Sequence, residues 1–143
     1  MINCLFLTLT LLFLAHLIAD FTPLIPFKKQ ILDAKINGGK DKWIYVHGLT
    51  VASYKVIAII ISNMILLLSQ FKPFLFKPWF VIMLVIFFII ESSTHFIIDV
   101  CKTDFNLKYN LKCDTNETYW IAVGIDQFLH AIVMFGICYC LYG

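Results

Sequence analysis

The chain has 143 residues, of which 61% are hydrophobic and 14% charged, with a formal net charge of +2. That balance excludes an ordinary water-soluble globular domain and leaves almost no sequence for a soluble module beside the apolar stretches. Every cation is a lysine, so arginine phosphate clamps are absent, and a charge this small gives no reason to expect a nucleic-acid partner.

Taken in order, the first apolar stretch, Ile2 to Phe21, supplies the ~20 residues a helix needs to cross ~30 Å of hydrocarbon. No Lys or Arg precedes it and no small-residue cleavage site follows, so it reads as a retained helix rather than a signal peptide. Thr22, Pro23 and Pro26 end it and open the first loop. Phe27 to Ile36 then reads as a short amphipathic helix with a Lys-rich face, lying in the membrane interface, and Asn37-Gly38-Gly39 breaks it. The second span runs from Trp43 to Gln70, with Trp43 and Tyr45 at the headgroup boundary. The prolines of the segment from Phe71 to Pro78 turn the chain into the third span, Trp79 to Val100. A polar loop is expected from Thr103 to Thr118, containing the glycosylation acceptor Asn116-Glu117-Thr118. Tyr119-Trp120 forms an aromatic belt opening the fourth span, Tyr119 to Leu141. The expected fold is all-α: residues 1–143 as one membrane domain, a bundle of four transmembrane helices with an interfacial helix in loop 1.

Lysines predict the orientation, because positive charge concentrates in short cytoplasmic loops. Lys28, Lys29, Lys35, Lys40 and Lys42 lie in the first loop, and Lys102, Lys108 and Lys112 in the third; Lys72 and Lys77 lie on the opposite side. Both termini are therefore expected outside the cell's inner membrane and the two long loops in the cytoplasm, where the glycosylation acceptor would be silent. The cysteines Cys4, Cys101, Cys113, Cys138 and Cys140 match no CxxC or zinc-ribbon spacing and read as small apolar packing residues.

Ionisable residues within apolar spans are expensive and mark function. Here they recur at a spacing of four, which stacks two side chains on one helix face: His16 and Asp20, His95 and Asp99, Asp126 and His130. His47 completes a set in which each span carries one of the four histidines. By helical rise all seven converge on the cytoplasmic half of the bundle. Glu91 and Lys102 extend the stripe on the third span, and Lys55, deep in the second, needs an anion that Glu91 can supply. Imidazoles and carboxylates are ligands for zinc, manganese or iron, and helical bundles build such sites from these spacings. The expected metal ligands are His16, Asp20, His47, His95, Asp99, Asp126 and His130. His47 and Asp126 are candidate catalytic groups and Lys102 an anion contact. An axially ligated haem fits less well, because the aspartates beside each histidine would crowd a pocket that is normally apolar.

These residues resemble a bacterial and phage membrane family catalogued as domain of unknown function 3307. The resemblance covers nearly the whole chain and rests on His16-Leu17-Ile18-Ala19-Asp20-Phe21, Gln30, Lys35, His47, His95-Phe96-Ile97-Ile98-Asp99, Lys102 and Asp126-Gln127-Phe128-Leu129-His130. It implies a compact polytopic fold with these polar positions as its signature, and it supplies no substrate. The chain departs from the family's usual look between Thr22 and Phe27, where two prolines stand. A looser similarity links it to membrane-bound metal-dependent hydrolases with His and Asp on their spans.

The leading expectation is a divalent-metal-dependent hydrolase acting on a lipid or lipid-linked phosphoester at the cytoplasmic membrane face, with membrane lipids as its partners. One alternative is a proton or metal-ion transporter, or a homo-oligomeric pore. Another is a small membrane subunit acting through a partner protein, with the polar cluster fixing helix register.

Overall fold

The computed structural model describes residues 2–21, 27–37, 42–68 and 79–142. Its elements are α1 (Ile2–Phe21), α2 (Lys28–Asn37), α3 (Lys42–Leu68), α4 (Trp79–Lys108) and α5 (Glu117–Tyr142), with no strand among the described residues. The expected proline-led break after α1, the glycine break after α2 and the turn across residues 71–78 lie outside the described residues.

Four helices, α1, α3, α4 and α5, are long and apolar enough to cross a membrane. They form an up-down-up-down square in which α1 packs on α3, α3 on α4, α4 on α5 and α5 back on α1. Beside an apolar core, many polar side chains are buried while large apolar ones face outward. Thr8, His16, His47, Lys55, Ser62, Asn63, Glu91, Ser92, His95, Asp99, Thr103, Asp126 and His130 are buried, while Phe13, Ile57, Ile86, Ile121 and Phe135 face outward. In water this arrangement would expose a large apolar surface; in hydrocarbon it hides the polar groups that lipid cannot satisfy.

Several helix boundaries differ from expectation. α3 begins at Lys42, and its expected last residues, 69 and 70, lie outside the described set. α5 begins at Glu117, two residues early. The larger correction is α4, expected to end at Val100 but helical through Lys108, about 45 Å by helical rise against ~30 Å of hydrocarbon. Its buried face continues past Asp99 to Thr103, so packing keeps the helix going beyond the apolar run. It stops where Asn110 takes a left-handed φ of 50°. There Leu111 N donates to Asn106 O (2.8 Å) and Asn110 N to Leu107 O (3.1 Å), the paired bonds of a Schellman cap. Lys102 and Lys108, expected in a loop, are therefore helical.

α2 is the short helix expected in loop 1. It buries Ile31 and Ala34 and packs on α3 and α4, closing one end of the bundle. Of the five cysteines only Cys138 is buried; Cys4 is half-buried, whereas Cys101, Cys113 and Cys140 are exposed, so the packing role does not extend to those three.

Gly48 fixes how closely α3 and α4 approach. A Cβ there would stand 3.0 Å from Ser92 O, tighter than ordinary packing allows. A small residue at such a crossing lets two backbones meet, and it brings His47, its neighbour, against α4.

Candidate functional site

All seven expected ligands meet at the end of the bundle that α2 covers. The imidazoles are contiguous: ring centroids lie 4.9 Å apart for His47 and His95, 4.2 Å for His95 and His130, and 4.8 Å for His16 and His130. All four rings are essentially inaccessible.

Around them the carboxylates divide by partner. Asp20 Oδ1 lies 2.8 Å from His47 Nε2 and 3.8 Å from His95 Nε2. Its other oxygen lies 3.4 Å from His16 Nε2 and accepts from Gln127 Nε2, also at 3.4 Å. Asp99 sits between two lysines, with Lys35 Nζ 2.9 Å from Oδ2 and Lys102 Nζ donating to Oδ1 at 3.1 Å. Lys102 also donates to Asp126 Oδ2 at 2.9 Å, so one ammonium bridges α4 and α5. Deeper in the bundle the expected partnership of Lys55 with Glu91 is present, both side chains fully buried.

Two residues of the cluster were absent from the expected site set, although both are among the positions that carry the family resemblance. Lys35 comes from α2, outside the spans, where an outward lysine is the default. Its signal is position: with Ile31 and Ala34 it forms an i, i+3, i+4 face, the face that α2 buries. Gln127 lies beside Asp126, where an uncharged amide drew no attention. Its Oε1 lies 3.2 Å from His16 Nε2 while its Nε2 donates to Asp126 Oδ2 at 3.0 Å, tying α1 to α5. At the rim, Lys28 donates to the Asp20 carbonyl at 2.8 Å. Partial burial, then the like charge of Lys35, pull its ammonium below the usual lysine range.

Three groups of side chains each bring one ligand atom per residue within 4.8 Å of one another: Asp20, His47 and His95; Glu91, His95 and His130; Asp99, Asp126 and His130. Lysine already serves two of them. Lys102 spans Asp99 and Asp126, and Lys55 holds Glu91. In the first group the only ammonium within 4 Å of the Asp20 carboxylate, among the described residues, is that of Lys35, 3.9 Å away. Many ring and carboxylate atoms here are buried with no hydrogen-bond partner: His16 Nδ1, His47 Nδ1, both nitrogens of His95, His130 Nε2, Glu91 Oε2 and Asp126 Oδ1. Each such atom costs about 1–3 kcal/mol if left unsatisfied. A divalent cation would relieve several at once, and these residues could hold one.

No curated protein and no solved structure matches the chain. The family model described as "Protein of unknown function (DUF3307)" matches residues 8–142 and so spans the whole cluster from His16 to His130. The chain is thus a member of the DUF3307 family.

Proposed function

We propose that this protein is a membrane-embedded metal-dependent hydrolase whose ion is held by Asp20, His47 and His95, with Asp99 beside them. One observation carries the reading: among the described residues this is the one of the three groups whose carboxylate no lysine ammonium approaches within hydrogen-bond range, and its histidines retain unpartnered buried nitrogens. Charge agrees. Four carboxylates (Asp20, Glu91, Asp99, Asp126) against three ammonium groups (Lys35, Lys55, Lys102) leave one negative charge, which one divalent ion reverses to one positive. That sign suits an anionic substrate.

Zinc, manganese or iron bound there would act as a Lewis acid and lower the pKa of a water molecule by several units. The chain's own groups do the rest. Asp126, with one oxygen held by Lys102 and Gln127 and the other unpartnered, accepts a proton. Lys35 and Lys102, whose side chains remain 20% and 17% exposed, meet the charge of a headgroup arriving at the mouth. A site at one end of four spans suits an amphiphile, a lipid or lipid-linked phosphoester, whose chain stays in the bilayer. By the lysine rule this end faces the cytoplasm across a bacterial inner membrane.

An ion or proton pathway would need polar groups at every depth. Below Lys55 and Glu91 the interior is filled by Leu12, Ile59, Phe87 and Met134, and this apolar layer argues against a conduit. The test is turnover: purified protein with added zinc or manganese should release phosphate or headgroup from phosphoester lipids in mixed micelles, and His47→Gln should abolish it. Metal-loaded protein inert against a broad lipid panel would sink the hydrolase reading.

A further inference from the structure

The innermost ligand group, Glu91, His95 and His130, shares only His95 with the ion site just described. It adjoins that site, because His95 belongs to both groups. Its nitrogen Nε2 lies 3.8 Å from Asp20 Oδ1, and its Nδ1 lies 3.9 Å from Glu91 Oε1. All three residues are fully buried, and Glu91 Oε2, His95 Nδ1 and His130 Nε2 lack hydrogen-bond partners. Such a constellation in water would attract a divalent ion. Here the ammonium of Lys55, itself fully buried, is seated on Glu91.

We infer that the Glu91–His95–His130 group is a second cation position, and that Lys55 fills it from within the chain in place of a metal ion. The inference rests on the single-ion reading above and extends it. Two-metal hydrolases use a second positive charge beside the first ion to share the negative charge of the transition state. A lysine offers one fixed positive charge without needing a metal, at the cost of Lewis acidity. Charge balance favours the substitution: a second divalent ion alongside the three lysines would leave the buried cluster with three uncompensated positive charges, which low dielectric penalises.

This makes Lys55 the determinant of metal number. Lys55→Met removes the resident cation and leaves Glu91 without a partner, whereas Lys55→Met with Glu91→Gln removes both charges and restores balance. The measurement is bound zinc per chain by elemental mass spectrometry, with thermal stability in detergent followed with and without zinc. The wild type should hold about one equivalent and Lys55→Met about two, the double variant returning to about one. With manganese, Lys55→Met should show an exchange-coupled pair by electron paramagnetic resonance, and the wild type an isolated ion. Lys55→Met should unfold readily in chelator and recover with zinc.

The inference is overturned if Lys55→Met binds no more metal than the wild type. A wild type that already holds two ions overturns it as well, as does Lys55→Met failing to fold with zinc present while the double variant folds. A wild type without metal would instead remove the outer-ion reading; a Glu91-dependent ion in Lys55→Met would then still identify the inner position.

Discussion

The two ends of the bundle treat buried polarity differently. At the end away from α2, polar groups are matched closely: Thr8 Oγ1 and Ser62 Oγ lie 2.6 Å apart, and Asn63 Nδ2 donates to Tyr142 OH at 2.8 Å and to Ile59 O at 2.9 Å. Every described buried side-chain atom without a hydrogen-bond partner belongs to the other half, from Glu91 to Asn106 on α4 and on His16, His47, Asp126 and His130. This fold can therefore pair polar groups inside an apolar bundle when pairing is all that is needed. The surplus at the α2 end supports the proposed ion site, because it departs from the matched pattern of the far end.

Breaking pairs at each depth should sharpen this contrast. The largest effect is expected from Glu91→Leu, which strands the Lys55 ammonium in the hydrocarbon layer and should cost about 3–5 kcal/mol of stability in detergent or bicelle unfolding. A loss below 1 kcal/mol would mean that water reaches Lys55. Gly48→Ala comes next. Its methyl group meets Ser92 O at 3.0 Å, so α3 and α4 must part by a few tenths of an ångström and His47 moves with them. Zinc affinity should fall roughly tenfold, about 1.4 kcal/mol, with little change in unfolding; unchanged affinity would show that the α3–α4 approach does not set the ligand geometry. Smallest is Thr8→Val, expected to cost about 0.6 kcal/mol and leave metal binding untouched. Reduced metal binding in that variant would erase the distinction between the two ends.

Much of this arrangement can be read from the amino-acid order, and the reason is the solvent. In hydrocarbon a charged side chain has few places to go, so His16, His95 and Asp99, once assigned to helices, have to face inward and meet. The same constraint pairs Lys55 with Glu91. Where the chain leaves the apolar spans the constraint relaxes. Lys35 is one of several lysines in its loop, and only tertiary packing selects it over Lys28 or Lys29 for Asp99. The continuation of α4 to Lys108 escaped hydropathy because its last turns are polar; the informative residue was Asn110, suited to the left-handed cap. Which of three overlapping ligand groups is open to a metal depends on where two lysine ammonium groups come to rest, and spacing carries no record of that.

The proposed site places one divalent ion on Asp20, His47 and His95. X-ray absorption at the zinc edge of purified, zinc-loaded protein tests it most directly. One ion per chain is expected, with two imidazole nitrogens at about 2.0–2.1 Å and oxygen completing the shell. His47→Gln should remove one imidazole and Asp20→Ala should release the ion. A folded protein that binds no zinc, manganese or iron after reconstitution, or a zinc shell unchanged by both substitutions, would contradict it.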